Sequence, residues 1–168
     1  MTKRICVRDF TDFVEILEEK GKAKYNEGDF LSASFYFRKA SENMDRGSAS
    51  PQHLLQQPVN YHEIGVRLEY FEAKALLKAK KYSEAQDAIT NLARRWGPIP
   101  IPNIPDDLRA DVFFLTAELY EFHGSLPTLE SALYWLQETL DFNSEHPTVK
   151  EDIKRVKKKI HIADSSNW

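Results

Sequence analysis

The 168-residue chain has a single cysteine, Cys6, which excludes an intramolecular disulfide and any cysteine-based zinc centre. It has no run of about 18 apolar residues, the length needed to cross a bilayer. The start, MTKRICVRDFTD, has a basic tip but no apolar stretch of signal-peptide length. The expected localisation is therefore cytoplasmic or nuclear. Sustained two-residue alternation and Asn-Gly or Asp-Gly hairpin turns are missing, which argues against a sheet. The six glycines form no phosphate-cradling loop. His53, His62, His123, His146 and His161 show no metal-ligand spacing, Cys6 has no evident activating partner, and Glu18-Glu19 reads as solvated charge. With these constellations absent, the chain is expected not to be an enzyme, and to need no cofactor or metal.

What is present suits a globular core. Hydrophobic residues make up 42% and charged residues 29% of the chain, with ten Phe, seven Tyr and three Trp as bulky core material. A net charge of −3 gives no general electrostatic case for nucleic acid. Lys150 to Lys159 is locally basic, with six Lys/Arg against two acids.

Helical spacing runs through the chain. Phe10, Phe13, Val14 and Leu17 share one helical face. After a break at Asn26-Glu27-Gly28-Asp29, a second amphipathic run extends from Phe30 to about Met44. Residues 47–60 read as a linker. Further helices are expected over 61–80, 82–96, 107–122 and from Pro127 to about Phe142. Thr148 and Glu151 form a capping-box pair that opens a seventh helix, to about Ile162. The prolines of 97–107 forbid helix and favour extended geometry. Pro102 to Pro105 has the minimal spacing of a ligand for proline-reading domains; a stiff connector whose isoleucines cover a core edge is the preferred reading. The fold class is all-α, with about seven helices and 148–162 as a C-terminal capping helix.

The second, fourth and sixth helices align. At offsets 0, 3 and 7 they carry Phe30-Ala33-Phe37, Tyr82-Ala85-Ile89 and Leu129-Ala132-Leu136. A small residue at the second place lets two antiparallel helices approach while the large residue a turn away fills the flank. Gly21 and Ala23 precede Phe30 by the same distances at which Ala73 and Ala75 precede Tyr82. Such agreement across two helices marks a repeat unit.

KGKAKYNEGDFLSASFYFRKA, residues 20–40, resembles the heart of a tetratricopeptide repeat, and residues 73–93 and 117–140 are similar. The second copy has Lys80-Lys81 where the family has Gly-Asp, and the third has a turn three residues longer. Spacings of 52 from Ala33 to Ala85 and 47 from Ala85 to Ala132 exceed the family's usual repeat of about 34. The resemblance implies a solenoid of antiparallel helix pairs over about 10–45, 61–96 and 107–145, within one domain spanning 1–168.

It also implies a concave groove lined by the first helix of each pair. Registering those helices on Gly21, Ala73 and Ala117 gives Lys22, Tyr25 and Asn26, then Arg67, Tyr70, Lys74 and Lys78, then Phe114 and Glu118 as candidate partner-binding residues, with Glu18, Asp111 and Phe122 alongside. The stripe Arg67-Tyr70-Lys74-Lys78 lies on one helix face and suits the carboxylates of an acidic or C-terminal peptide, with Lys22 as a further cation; a solvated polar face is the competing reading. The family's chaperone-tail binders clamp a terminal carboxylate with Lys and Asn on one unit and Lys and Arg on another. Glu18, Lys22, Asp111 and Leu115 stand at those places here, so that clamp does not carry over. Reversing the charges of Arg67 and Lys74 is expected to abolish partner capture without lowering the melting temperature.

Two functions follow: an adaptor taking a partner segment in the groove, or an assembly subunit acting through helix edges. Leu54, Leu55, Ile99, Ile101 and Ile104 hint at surfaces that need covering, so self-association belongs to the second. The stripe Val149-Ile153-Val156-Ile160, backed by Lys150, Lys154, Lys157 and Lys158, reads as a solvated cap rather than a nucleic-acid or lipid surface.

Overall fold

The computed structural model describes residues 7–48, 61–96 and 104–166. Seven helices and no strand occur among them: α1 Val7–Asn26, α2 Phe30–Ser48, α3 Tyr61–Lys78, α4 Tyr82–Trp96, α5 Asp106–His123, α6 Leu126–Phe142 and α7 Val149–Ser165. Cys6, the body of the first linker with Leu54 and Leu55, Ile99, Ile101 and the proline segment through Asn103 lie outside the described residues, as does the side chain of Phe10. No described helix is long and apolar enough to cross a membrane.

The sequence places 1–168 in one domain; the contacts group the chain into two compact units, 1–99 and 100–168. In the first, α1 packs on α2, α2 on α3, and α3 on α4; in the second, α5 packs on α6 and α6 on α7.

The aligned helices bury equivalent positions, although Phe30 and Tyr82 at the start of two of them are only half-buried. Ala33-Phe37-Ala40, Ala85-Ile89-Leu92 and Ala132-Leu136-Thr139 are all buried. Close approach explains the small residues. A Cβ built on Gly21 would meet the Phe37 ring at 2.7 Å, and Phe37 stacks on Phe71 with centroids 5.2 Å apart. Burying a phenylalanine this completely contributes about 2–3 kcal/mol.

The turns that close the first two pairs share one hydrogen-bond pattern. Gly28 N–H donates to the Tyr25 carbonyl and Asp29 N–H to that of Lys24. Lys80 N–H donates to Leu77 and Lys81 N–H to Leu76, 52 residues further on in each case. Gly28 has φ +82° and Lys80 has φ +61°. The left-handed conformation that the first turn reaches with glycine is imposed on a lysine in the second, at a cost of about 1 kcal/mol.

Three local expectations need correcting. Phe13 does not share the environment of the face expected to hold it with Val14 and Leu17: it is 48% exposed, whereas those two are buried. Among the described residues α1 packs extensively against α2, which leaves part of its surface open. The capping box of Thr148 and Glu151 does not form. Thr148 adopts φ 68°, and its hydroxyl donates to Asp152 Oδ2 at 2.9 Å instead of accepting from the first turn of α7. The linker expected from residue 47 starts later, because α2 runs through Ser48.

Candidate functional site

The first unit brings the stripes of α1 and α3 together. Lys74 Nζ lies 5.8 Å from the Tyr25 ring centroid and 5.6 Å from that of Tyr70, so its ammonium rests over two aromatic faces, one from each helix. Tyr25 packs edge-on against Phe30 with centroids 5.1 Å apart, and Tyr70 lies tilted against Phe71 at 5.4 Å, which supports both rings. Tyr70 is only 7% exposed, so it supports the surface more than it forms it. Tyr25, Lys22 and Lys74 are half-buried, and Asn26 and Lys78 are exposed at the ends of α1 and α3. Lys78 has no ion-pair partner among the described residues.

Arg67 has a different role from the one its spacing suggests. Its Nε donates to Glu18 Oε1 at 2.8 Å and its Nη2 to Oε2 at 3.0 Å. Glu18 is only 3% exposed. Burial pushes its carboxyl up, but Arg67 and Lys22 outweigh burial and hold it below the usual carboxylate range. Lys22 stands 3.3 Å from Glu18 and 3.0 Å from Glu19. Two cations of the predicted groove are therefore neutralised within the unit, leaving Lys74 and Lys78 to meet an anion. Reversing Arg67 would set two carboxylates against each other over a buried site. The Arg67 and Lys74 reversal should therefore lower the melting temperature, contrary to the expectation from the sequence, whereas Lys74 and Lys78 have no ion-pair partner among the described residues.

Phe114 and Glu118 belong to the second unit. Phe114 is half-buried, its ring 4.8 Å from that of His146, and Glu118 and Phe122 are exposed. Asp111 is engaged by His146 Nε2 at 3.1 Å.

One feature of the first unit escaped the spacing altogether. A concavity of about 370 Å³ opens among α2, α3 and α4, where Arg38, Glu69, Glu72, Glu84 and Asp87 meet. Arg38 Nε donates to Glu72 Oε1 at 2.7 Å and Ser41 Oγ to Glu69 Oε1 at 3.2 Å. The acidic pairs Glu69/Glu72 on α3 and Glu84/Asp87 on α4, each three apart, are the local signal, and nothing local ties them to Arg38. No group of three or more metal-capable side chains occurs among the described residues. No protein-family model and no curated protein matches the chain.

Proposed function

We propose that the chain is a tetratricopeptide-like array of helix pairs that serves as a protein-binding adaptor, taking an acidic segment of a partner on the α1–α3 face of its first unit. The single observation that carries the reading is the Lys74 ammonium held over Tyr25 and Tyr70 beside the exposed Lys78. A fixed cation between aromatic faces offers a carboxylate a charged anchor and gives neighbouring apolar side chains a surface to lie on. The shared turn pattern and the equivalent buried positions support the repeat reading.

The test is affinity capture by the full chain, wild type against Lys74→Glu with Lys78→Glu, with captured proteins identified by mass spectrometry. Lys78 is exposed and Lys74 is half-buried without an ion-pair partner among the described residues, so the double reversal should cost about 1–2 kcal/mol of stability, chiefly the cation–π contacts of Lys74. A partner enriched by wild type and lost by the folded variant is the expected result. Identical captures would overturn the assignment of the face.

A second reading, an assembly subunit, draws on other residues. Phe13, Ile16, Leu31 and Phe35 of the first unit are each about half exposed, and large exposed apolar side chains favour a covered surface. Ile104, counted among such residues from the sequence, is buried and fits the connector reading. Sedimentation over a concentration series separates the two functions: reversible self-association supports assembly, and a monomer throughout removes the homo-oligomeric form of it.

A further inference from the structure

We infer that the outer face of α1 is a docking seat for an amphipathic helix of a partner protein, one that carries a carboxylate opposite Lys20. Phe13, Ile16, Lys20 and Ala23 are spaced 3, 4 and 3 and form one stripe along α1. All four are exposed. At the same places 52 residues on, α3 carries Gly65, Leu68, Glu72 and Ala75, and all four are buried. That stripe is the one α3 turns to α2. Leu68 and Ala75 share a core cluster with Ala33, Phe37, Ala40 and Met44, and Glu72 accepts from Arg38 Nε at 2.7 Å. The α1 stripe thus has the register of an inter-helix face and is open. Ala23 helps to leave a shallow hollow of about 570 Å³, lined also by Glu15, Ile16, Glu19 and Lys20. Relief of this kind, small beside large, receives the side chains of a crossing helix.

Charge decides the occupant. Lys20 stands where α3 has Glu72, so a helix that fits α1 needs an acid where α2 has Arg38. Lys20 has no ion-pair partner among the described residues, and its Nζ lies 5.9 Å from the Tyr36 ring centroid of α2. A lone lysine within an apolar stripe selects its partner by charge. A second copy of α1 fits poorly. Parallel pairing sets Lys20 against Lys20, and antiparallel pairing sets the rim of Glu15 and Glu19 against itself. The seat rests on the assembly reading for Phe13 and Ile16, puts a different chain in the place of a second copy, and does not involve the Lys74 and Lys78 face.

The probe is a synthetic peptide of residues 30–48 with Arg38→Glu, stapled on its outward side to hold it helical and labelled for fluorescence anisotropy against the full chain. The unaltered peptide is its pair. Wild type should prefer the Arg38→Glu peptide by about fivefold, the worth of one ion pair, and Lys20→Glu should reverse the preference. Ile16→Asp should weaken both peptides by about tenfold. Ile16 is 52% exposed, so that variant should fold, which its urea melt checks. Lys74→Glu with Lys78→Glu should bind both peptides as wild type does, which separates the seat from the adaptor face. A preference that ignores Lys20, or no saturable binding of either peptide up to about 1 mM, would sink the seat. Self-association in sedimentation that Ile16→Asp abolishes would also overturn it, since the occupant would then be a second copy. A monomer that keeps the Lys20-dependent preference removes the homo-oligomer and sustains the seat.

Discussion

Each unit ties together two helices that alternate along the chain, and uses the same device to do it. In the first, Glu18 of α1 receives Arg67 of α3 through both oxygens; in the second, Glu121 of α5 receives Arg155 of α7 at 2.9 and 2.7 Å. A lysine assists in both, Lys22 at 3.3 Å and Lys159 at 2.7 Å. Depth separates them. The Glu18 and Arg67 side chains are 4% and 30% exposed, against 11% and 50% for Glu121 and Arg155. For Glu18 burial is the largest influence and its cations overcome it; for Glu121 the Arg155 hydrogen bonds come first and burial only opposes them. The strength of an ion pair follows from what is left behind when one partner goes: a stranded charge in the deep case, a charge that water reaches in the shallow one.

Removing the arginines should widen that difference into the largest effect. Arg67→Ala is expected to lower unfolding free energy by about 3 kcal/mol and Arg155→Ala by about 1 kcal/mol, read from urea melts at neutral pH. Equal losses would show that depth does not set the value of the clamp. Acid probes the same pairs. Both glutamates are held below the ordinary value of 4.5. Each therefore contributes stability that is complete above 4.5 and lost as pH falls through the depressed folded value. Glu18→Gln and Glu121→Gln should each flatten the acid limb of the stability curve.

A smaller difference separates the small residues of the first helices. Gly21 admits the Phe37 ring where a Cβ would stand 2.7–2.9 Å from three of its atoms, while the registered Ala117 in the second unit is buried with its Cβ in place. Phe37 is pinned by Phe71 and has little room to retreat. Gly21→Ala should therefore cost about 2 kcal/mol despite the better helix propensity of alanine. A stabilising result from thermal melts would show that the ring can shift.

The helices and their inward faces were legible because both follow from local periodicity. Ala33, Phe37 and Ala40 announce a buried stripe wherever the helix ends up. What periodicity does not encode is how many neighbours a helix has. Ala23 and Ala75 match in sequence, yet Ala23 is exposed and Ala75 is buried: α3 packs against both α2 and α4, and α1 packs against α2. Phe13 is exposed for the same reason. The candidate site was legible only in part. Tyr25, Tyr70 and Lys74 do converge, but the diversion of Arg67 to a glutamate 49 residues away is a tertiary fact that no spacing on α3 records. Thr148 shows the limit at the smallest scale, since a capping pattern presumes an extended residue and this one is left-handed.

The mildest test concerns the two turns. Their hydrogen bonds coincide, so the residue at the left-handed position is what differs: Gly28 in one, Lys80 in the other. Nothing lies within 4 Å of a Cβ built on Gly28, so Gly28→Ala meets backbone strain and no clash, and should destabilise by about 1 kcal/mol. Lys80→Gly removes the same strain, while glycine loosens the unfolded chain and returns part of the gain. A net stabilisation of about 0.5 kcal/mol is expected, a shift of one or two degrees in melting temperature for a chain of this size. If Lys80→Gly instead destabilises, the lysine side chain contributes something in the second turn that the first turn lacks, and the two turns are alike in backbone alone.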